Sequence, residues 1–154
     1  MDDENLLWQR LVNSNRSYIE ARTDFLQHAK NRIELLRGAL NGTGLEVITA
    51  IQLVEALGES ERLSLFPQIL QKCISQKWGS FARSIVINLP RPWVLEHIEA
   101  ESKNLLVDHL DYLMMLGLYT ALDRALALRL AGLAAASADE DIRDLGVSYL
   151  KPNG

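Results

Sequence analysis

Residues 63–76, Leu63-Ser-Leu-Phe-Pro-Gln-Ile-Leu-Gln-Lys-Cys-Ile-Ser-Gln76, decide the fold class. Leu63, Phe66, Ile69, Leu70, Cys73 and Ile74 recur at intervals of three and four, the period of a helix with one buried face. Pro67 lies inside that run. It lacks an amide hydrogen and crowds the preceding turn, so a bend is expected there. After the turn Trp78-Gly79-Ser80, a second short apolar helix from Phe81 to Leu89 carries Arg83 near its start. Residues 126–150 follow the same plan: an apolar helix, a turn, then a helix with Arg143 near its start. Short helices of this kind bury their faces by stacking in pairs, which leaves a broad outer surface for a partner.

Outward from this centre the pattern stays helical. Pro90-Arg91-Pro92 is the strongest break in the chain. Trp93 to about Leu106 and Asp108 to Leu122 read as helix, as one rod or as two. The stretch 123–136 is rich in Ala and Leu; Leu126, Leu130 and Leu133 form its expected buried ridge. Ser137 with Glu140 reads as a capping box for the last helix, which ends at Leu150 before Pro152. On the other side, Thr43 with Glu46 reads as a capping box for a helix through Val47, Ile48, Ile51, Val54 and Leu57, closed by Gly58. Ser60 is the expected cap of the helix that holds Pro67. Asn41-Gly42-Thr43-Gly44 ends a long helix over 16–40, with a glycine as its left-handed cap. In that helix Ile19, Leu26, Ile33 and Leu40 recur every seven residues, with Arg22, Ala29 and Leu36 between them. A first helix, Glu4 to Val12, has Leu6, Leu7 and Leu11 on one face and is separated from the long helix by a turn at Asn13-Ser14-Asn15. The expected architecture is all-α: an irregular α-solenoid or an orthogonal helical bundle of about seven to eight helices. It forms one domain over 1–154, with repeat-like pairs over 43–150.

Composition narrows the function. At 154 residues, 48% apolar and 23% charged, the chain is long enough for a core and is globular in usage. A net charge of −4 and a pI near 5.4 argue against general polyanion binding. The single cysteine, Cys73, rules out an internal disulfide and a cysteine-based zinc cluster. It shares a face with Ile69, Leu70 and Ile74, the setting of a buried structural thiol rather than a nucleophile. The acidic start Met-Asp-Asp-Glu-Asn lacks the basic region of a signal peptide, and the longest apolar stretch, Tyr112 to Leu122, is about half a membrane span. Cytoplasmic residence and no membrane association are expected.

No catalytic motif is present. His28, His97 and His109 have no nucleophile motif beside them, the glycines read as helix stops rather than a phosphate loop, and Asp139-Glu-Asp lacks the remaining pattern of a calcium loop. His97, Glu101 and Asp108 would align on one continuous helix, with His109 and Asp111 nearby, but a solvated polar face is the preferred reading. No metal and no cofactor are expected, and no enzyme.

Charge is segregated along the chain. Arg62, Lys72, Lys77, Arg83 and Arg91 fall between 62 and 95 with no acid among them, whereas Glu96, Glu99, Glu101, Asp108 and Asp111 follow with only Lys103. The block reads either as a bipolar surface that orients a partner or as neighbouring helices attracting each other. Lys77-Trp78 and Arg91-Pro92-Trp93 place aromatics beside cations, an arrangement that could stack on bases, but the acidity of the whole chain argues against nucleic acid.

The two helix pairs resemble HEAT-type repeats. Leu63 to Ile74, with its mid-helix Pro67, looks like the first helix of such a unit and Ser80 to Leu89 like the second; Ala125 to Ser137 and Asp139 to Leu150 look like another unit. The resemblance implies a right-handed helical stack with a scaffold or recognition role. It also implies that Arg83 and Arg143 are structural, bridging neighbouring units through an acid. The expected function is therefore a non-catalytic protein–protein interaction module, an adaptor, inhibitor or immunity-type protein. Its expected partner is another protein, acidic in character, bound at Lys72, Lys77, Trp78, Arg91, Trp93, Glu96 and Glu99. The alternatives are an oligomerisation module using helix 16–40 and an enzyme with a site built across helices. A monomer is favoured over a homodimer.

Overall fold

The computed structural model describes residues 3–152. Met1, Asp2, Asn153 and Gly154, part of the expected 1–154 domain, lie outside the described residues. Among the described residues are ten α-helices, one 3-10 turn and no strand. They are α1 (Asp3–His28), α2 (Arg32–Leu40), α3 (Leu45–Val54), α4 (Glu59–Ser64), α5 (Phe66–Cys73), α6 (Gly79–Ile87) and α7 (Arg91–Ser102). The 3-10 turn Lys103–Leu105 follows, then α8 (His109–Leu122), α9 (Arg124–Ala135) and α10 (Glu140–Leu150). The chain is all-α, as its periodicity predicts.

The N-terminal boundaries differ from the expected ones. α1 runs unbroken through Asn13-Ser14-Asn15, because Asn and Ser each cost a helix only about 0.5 kcal/mol relative to Ala and neither Gly nor Pro stands there. The break falls at 29–31. There Arg32 Nη1 donates to the Leu26 carbonyl at 2.6 Å, satisfying one of the acceptors that a helix end leaves open. Arg32 Nε donates to Glu61 on α4 at 2.7 Å. The seven-residue stripe expected over 16–40 is thereby divided. Leu36 and Leu40 are buried on α2, Leu26 and Ile33 are half-buried, and Ile19 on α1 is exposed.

Helix starts are set by aspartates more than by the expected hydroxyls. α3 opens at Gly44, whose φ of 60° strains any L side chain; neither Thr43 nor Glu46 caps it. Gly44, rather than a residue closing α2, therefore takes the left-handed conformation. α4 opens at Gly58 rather than Ser60. α10 opens at Asp139, which accepts from the Ile142 amide at 3.1 Å, while Ser137 accepts from the Asp139 amide. Asp123 accepts from the Leu126 amide at the start of α9. Asp108 and Asp111 form a reciprocal capping box at the start of α8, so 93–122 is two helices and not one rod. A carboxylate satisfies a free amide and also complements the positive helix end, which a hydroxyl does not. Pro67 divides the 61–76 helix outright: α4 ends before Leu65, and Pro67 takes the first turn of α5, where its missing N–H is not needed. With these two divisions the described residues hold ten α-helices, above the expected seven to eight.

The helices lie in two rows. α2 packs on α3, α5 on α6 and α9 on α10. α2, α5 and α7 neighbour one another in the first row, which continues to α9 through two ion pairs, Arg91–Asp123 at 3.2 Å and Glu99–Arg129 at 2.7 Å. α3, α6, α8 and α10 form the second row. The core between them includes Leu40, Val54, Phe66, Ile69, Ile98, Met115 and Leu126. α8 is tied to α7 by a buried hydrogen bond, 2.6 Å, between the Tyr119 and Ser102 hydroxyls. On α9, Leu126 and Leu130 are buried as the ridge requires, but Leu133 is 65% exposed. Ala127, Ala131 and Ala134 complete that face instead. A Cβ on Gly146 would stand 2.3 Å from the Ala135 nitrogen and 2.6 Å from the Ala131 carbonyl oxygen, so α10 meets α9 backbone to backbone.

Candidate functional site

α1 stands apart from the two rows. It has no buried residue over its whole length. Trp8, Leu11, Tyr18, Arg22 and Phe25 occupy alternating three- and four-residue steps, with Asn15 completing the series, so they share one face. That face has two fates. From Tyr18 onward it touches the body: the Tyr18 hydroxyl donates to Gln52 on α3 at 3.3 Å, and Phe25 and Leu26 pack against the core. Before Tyr18 it is open: Leu7, Trp8 and Leu11 are 59%, 59% and 62% exposed, and Leu6, on the opposite side of the helix, is 65% exposed.

Where α1 crosses α2 and α3 there is an apolar groove of about 510 Å³. Tyr18, Phe25, Leu35, Leu45 and Leu53 line it, and its lip is open, with Leu45 82% exposed. Arg22 also lines it, and its Nε is buried without a hydrogen-bond acceptor among the described residues. Residue 13–15 read as a turn cuts this stripe in two, which is why the sequence reading misses it. The signal was the unbroken three-and-four spacing from Trp8 to Phe25.

The residues expected to bind a partner fall in two groups, at the two ends of α5. Trp93 is half-buried, edge-to-face with Phe66 at 5.1 Å and stacked on His97 at 4.0 Å, so it closes the core at the start of α5. Lys72 lies in the last turn of α5, and Lys77 and Trp78 follow it. They are thus beyond the other end of an eight-residue helix, about 12 Å long. The Lys77 ammonium sits 4.8 Å from the Trp78 ring, which is itself half-buried against the core. Arg91 and Glu99 are engaged in their ion pairs with Asp123 and Arg129, and Glu96 is exposed on α7. The basic and acidic blocks therefore do not neutralise each other; each reaches to α9.

Arg83 and Arg143 have equivalent roles, but not the implied bridge to an acid. Arg83 Nη1 donates to the Cys73 carbonyl at 2.8 Å, at the end of α5, and lies 3.5 Å from Met114 Sδ. Arg143 Nη1 makes a longer contact, 3.5 Å, with the Ser137 carbonyl just past α9. Each arginine reaches back within its own helix pair and covers an open carbonyl.

Two ionisable side chains, Cys73 and Tyr119, are buried in the core. Burial pushes the Cys73 thiol up to about 12, and its Sγ donates to the Ile69 carbonyl. Burial also raises the Tyr119 phenol above its ordinary range. His97 Nδ1 lies 2.8 Å from the Trp93 carbonyl, and the break at 103–108 puts Asp108 on a different helix from His97 and Glu101. Among the described residues no cluster of three His, Cys, Asp or Glu is placed to hold a metal, and no helix is long and apolar enough to cross a membrane. Compared with protein-family models, curated proteins and solved structures, the chain has no match in any of the three.

Proposed function

We propose that this chain is a non-catalytic protein–protein interaction module, a solenoid-like stack of helix pairs that presents α1 as its binding element. One observation carries the reading: an apolar helix face, Leu7, Trp8 and Leu11, lies open and runs on into an apolar groove. Burying a leucine is worth about 1.5–3 kcal/mol, so a contiguous open face of this kind marks a contact surface rather than stray exposure. The two-row packing of α2 to α10 supports the scaffold part of the reading, because it closes the core without using the first half of α1.

A photo-crosslinking residue placed at Leu7 or Leu11, and at exposed Glu101 as control, tests it in the cells the chain comes from. Crosslinks to polypeptide that form from positions 7 and 11 and not from 101 are expected. Absence of any α1-dependent product, to this chain or another, would overturn the reading.

A further inference from the structure

The occupant of that surface follows from the geometry of α1, taking the interaction reading above as its basis. The first half of α1 is an apolar ligand and the groove at its second half is an apolar receptor, yet one chain cannot join them. The helix is continuous from Asp3 to His28, so Trp8 is held about 15 Å along the axis from Tyr18. We propose that a second copy of this chain completes both: two α1 helices pair antiparallel, and the first half of each lies in the other's groove.

The stripe has the right register for this. An antiparallel pair that crosses at Asn15 sets Trp8 beside Arg22 of the second copy and Leu11 beside Tyr18. Arg22 is the groove cation whose Nε lacks an acceptor, and an indole face is a favourable neighbour for a guanidinium. Glu4 lies one turn before Trp8 on the same face and brings a carboxylate to the same end of the groove. Asn15 falls at the crossing, where a polar residue in an apolar seam selects register. The area is sufficient. Leu7, Trp8 and Leu11, with Leu35 and Leu45 at the groove lip, leave about 450 Å² of apolar surface open per copy, from their exposures and side-chain sizes. At the roughly 65% apolar fraction of a homodimer interface this corresponds to about 700 Å² per copy, within the range of a standard stable interface.

Sedimentation velocity on the full chain should give a species near 35 kDa, twice the 17.3 kDa of one copy. Leu11→Glu should weaken association roughly a hundredfold with helical circular dichroism unchanged, since Leu11 is 62% exposed in the single chain. Mild oxidation of Asn15→Cys should link the two copies, whereas Leu7→Cys, far from its own counterpart in an antiparallel pair, should not link. Equal linkage at both positions would mean parallel helices and overturn the groove exchange. A monomer at about 100 µM, where an association of micromolar Kd would be nearly complete, would overturn the second copy altogether. In that event, α1-dependent crosslinks to a different polypeptide would leave the interaction reading standing, and their absence would remove it too.

Discussion

The two ends of this chain use amphipathic helices in opposite ways. α9 and α10 present Ala127, Ala131, Ala134 and Gly146 and meet so closely that no side chain fits between them at Gly146. α1 presents large side chains, Trp8, Leu7 and Leu11, and leaves them open over its first half. Small residues let two backbones approach and close a local pair; large ones displayed on a rod need a complementary groove. Side-chain size on the apolar face, rather than the presence of such a face, separates a helix that finishes the fold from one that continues beyond it.

The comparison breaks most readily at its closed end. Gly146→Val should destabilise by upwards of about 3 kcal/mol, at or past the usual limit of overpacking, because the obstructing atoms belong to the α9 backbone and cannot rotate away. Urea unfolding measures it; a cost below 1 kcal/mol would show that α10 sits further from α9 than described. Leu130→Ala, at a site 3% exposed, should cost about 2–5 kcal/mol by the same measurement. At the open end, Leu11→Ser should leave the stability of a dilute single chain within about 0.5 kcal/mol of the parent. A larger loss there would mean that α1 is covered within the chain and would dissolve the contrast.

Acid sharpens the contrast at the joint between α1 and the body. The Arg32 guanidinium holds the Glu61 carboxyl below the ordinary range, and the Leu126 amide, assisted by Arg91, does the same for Asp123. A carboxyl lowered in the folded state contributes stability that is complete above its unfolded value, near 4, and is lost as pH falls through the lower folded value. The melting temperature should therefore stay level from neutral pH to about pH 5 and fall below about pH 4.5. Glu61→Gln should flatten part of that fall; an unchanged profile would mean that the Arg32–Glu61 pair contributes nothing to the joint.

Much of the helical content was legible because three-and-four periodicity is local. The break at Pro90-Arg91-Pro92 and the burial of Leu126 and Leu130 could be read directly. The boundaries were misread where several residue types could do one job: Ser60 and Ser137 compete for helix starts with glycine and aspartate, and Asn13-Ser14-Asn15 tolerates a helix as well as a turn. The pairs Arg91–Asp123 and Glu99–Arg129 join residues about thirty apart, and no local spacing announces them. The open face of α1 was hidden for a different reason. Periodicity shows that a face is apolar and says nothing of what lies opposite it.

The hydrogen bonds of Arg32 make α1 a lever. Its guanidinium joins the Leu26 carbonyl, near the end of α1, to Glu61 on α4, and together with the packing of Phe25 and Leu26 on the core it fixes the foot of the helix. The arm from Tyr18 to Asp3 is about 22 Å long, and a tilt of about 10° at Tyr18 would carry its tip about 4 Å, roughly three-quarters of a helical turn. A small change at the foot, where Arg32, Phe25 and Leu26 hold α1 to the body, would thus be amplified at the tip.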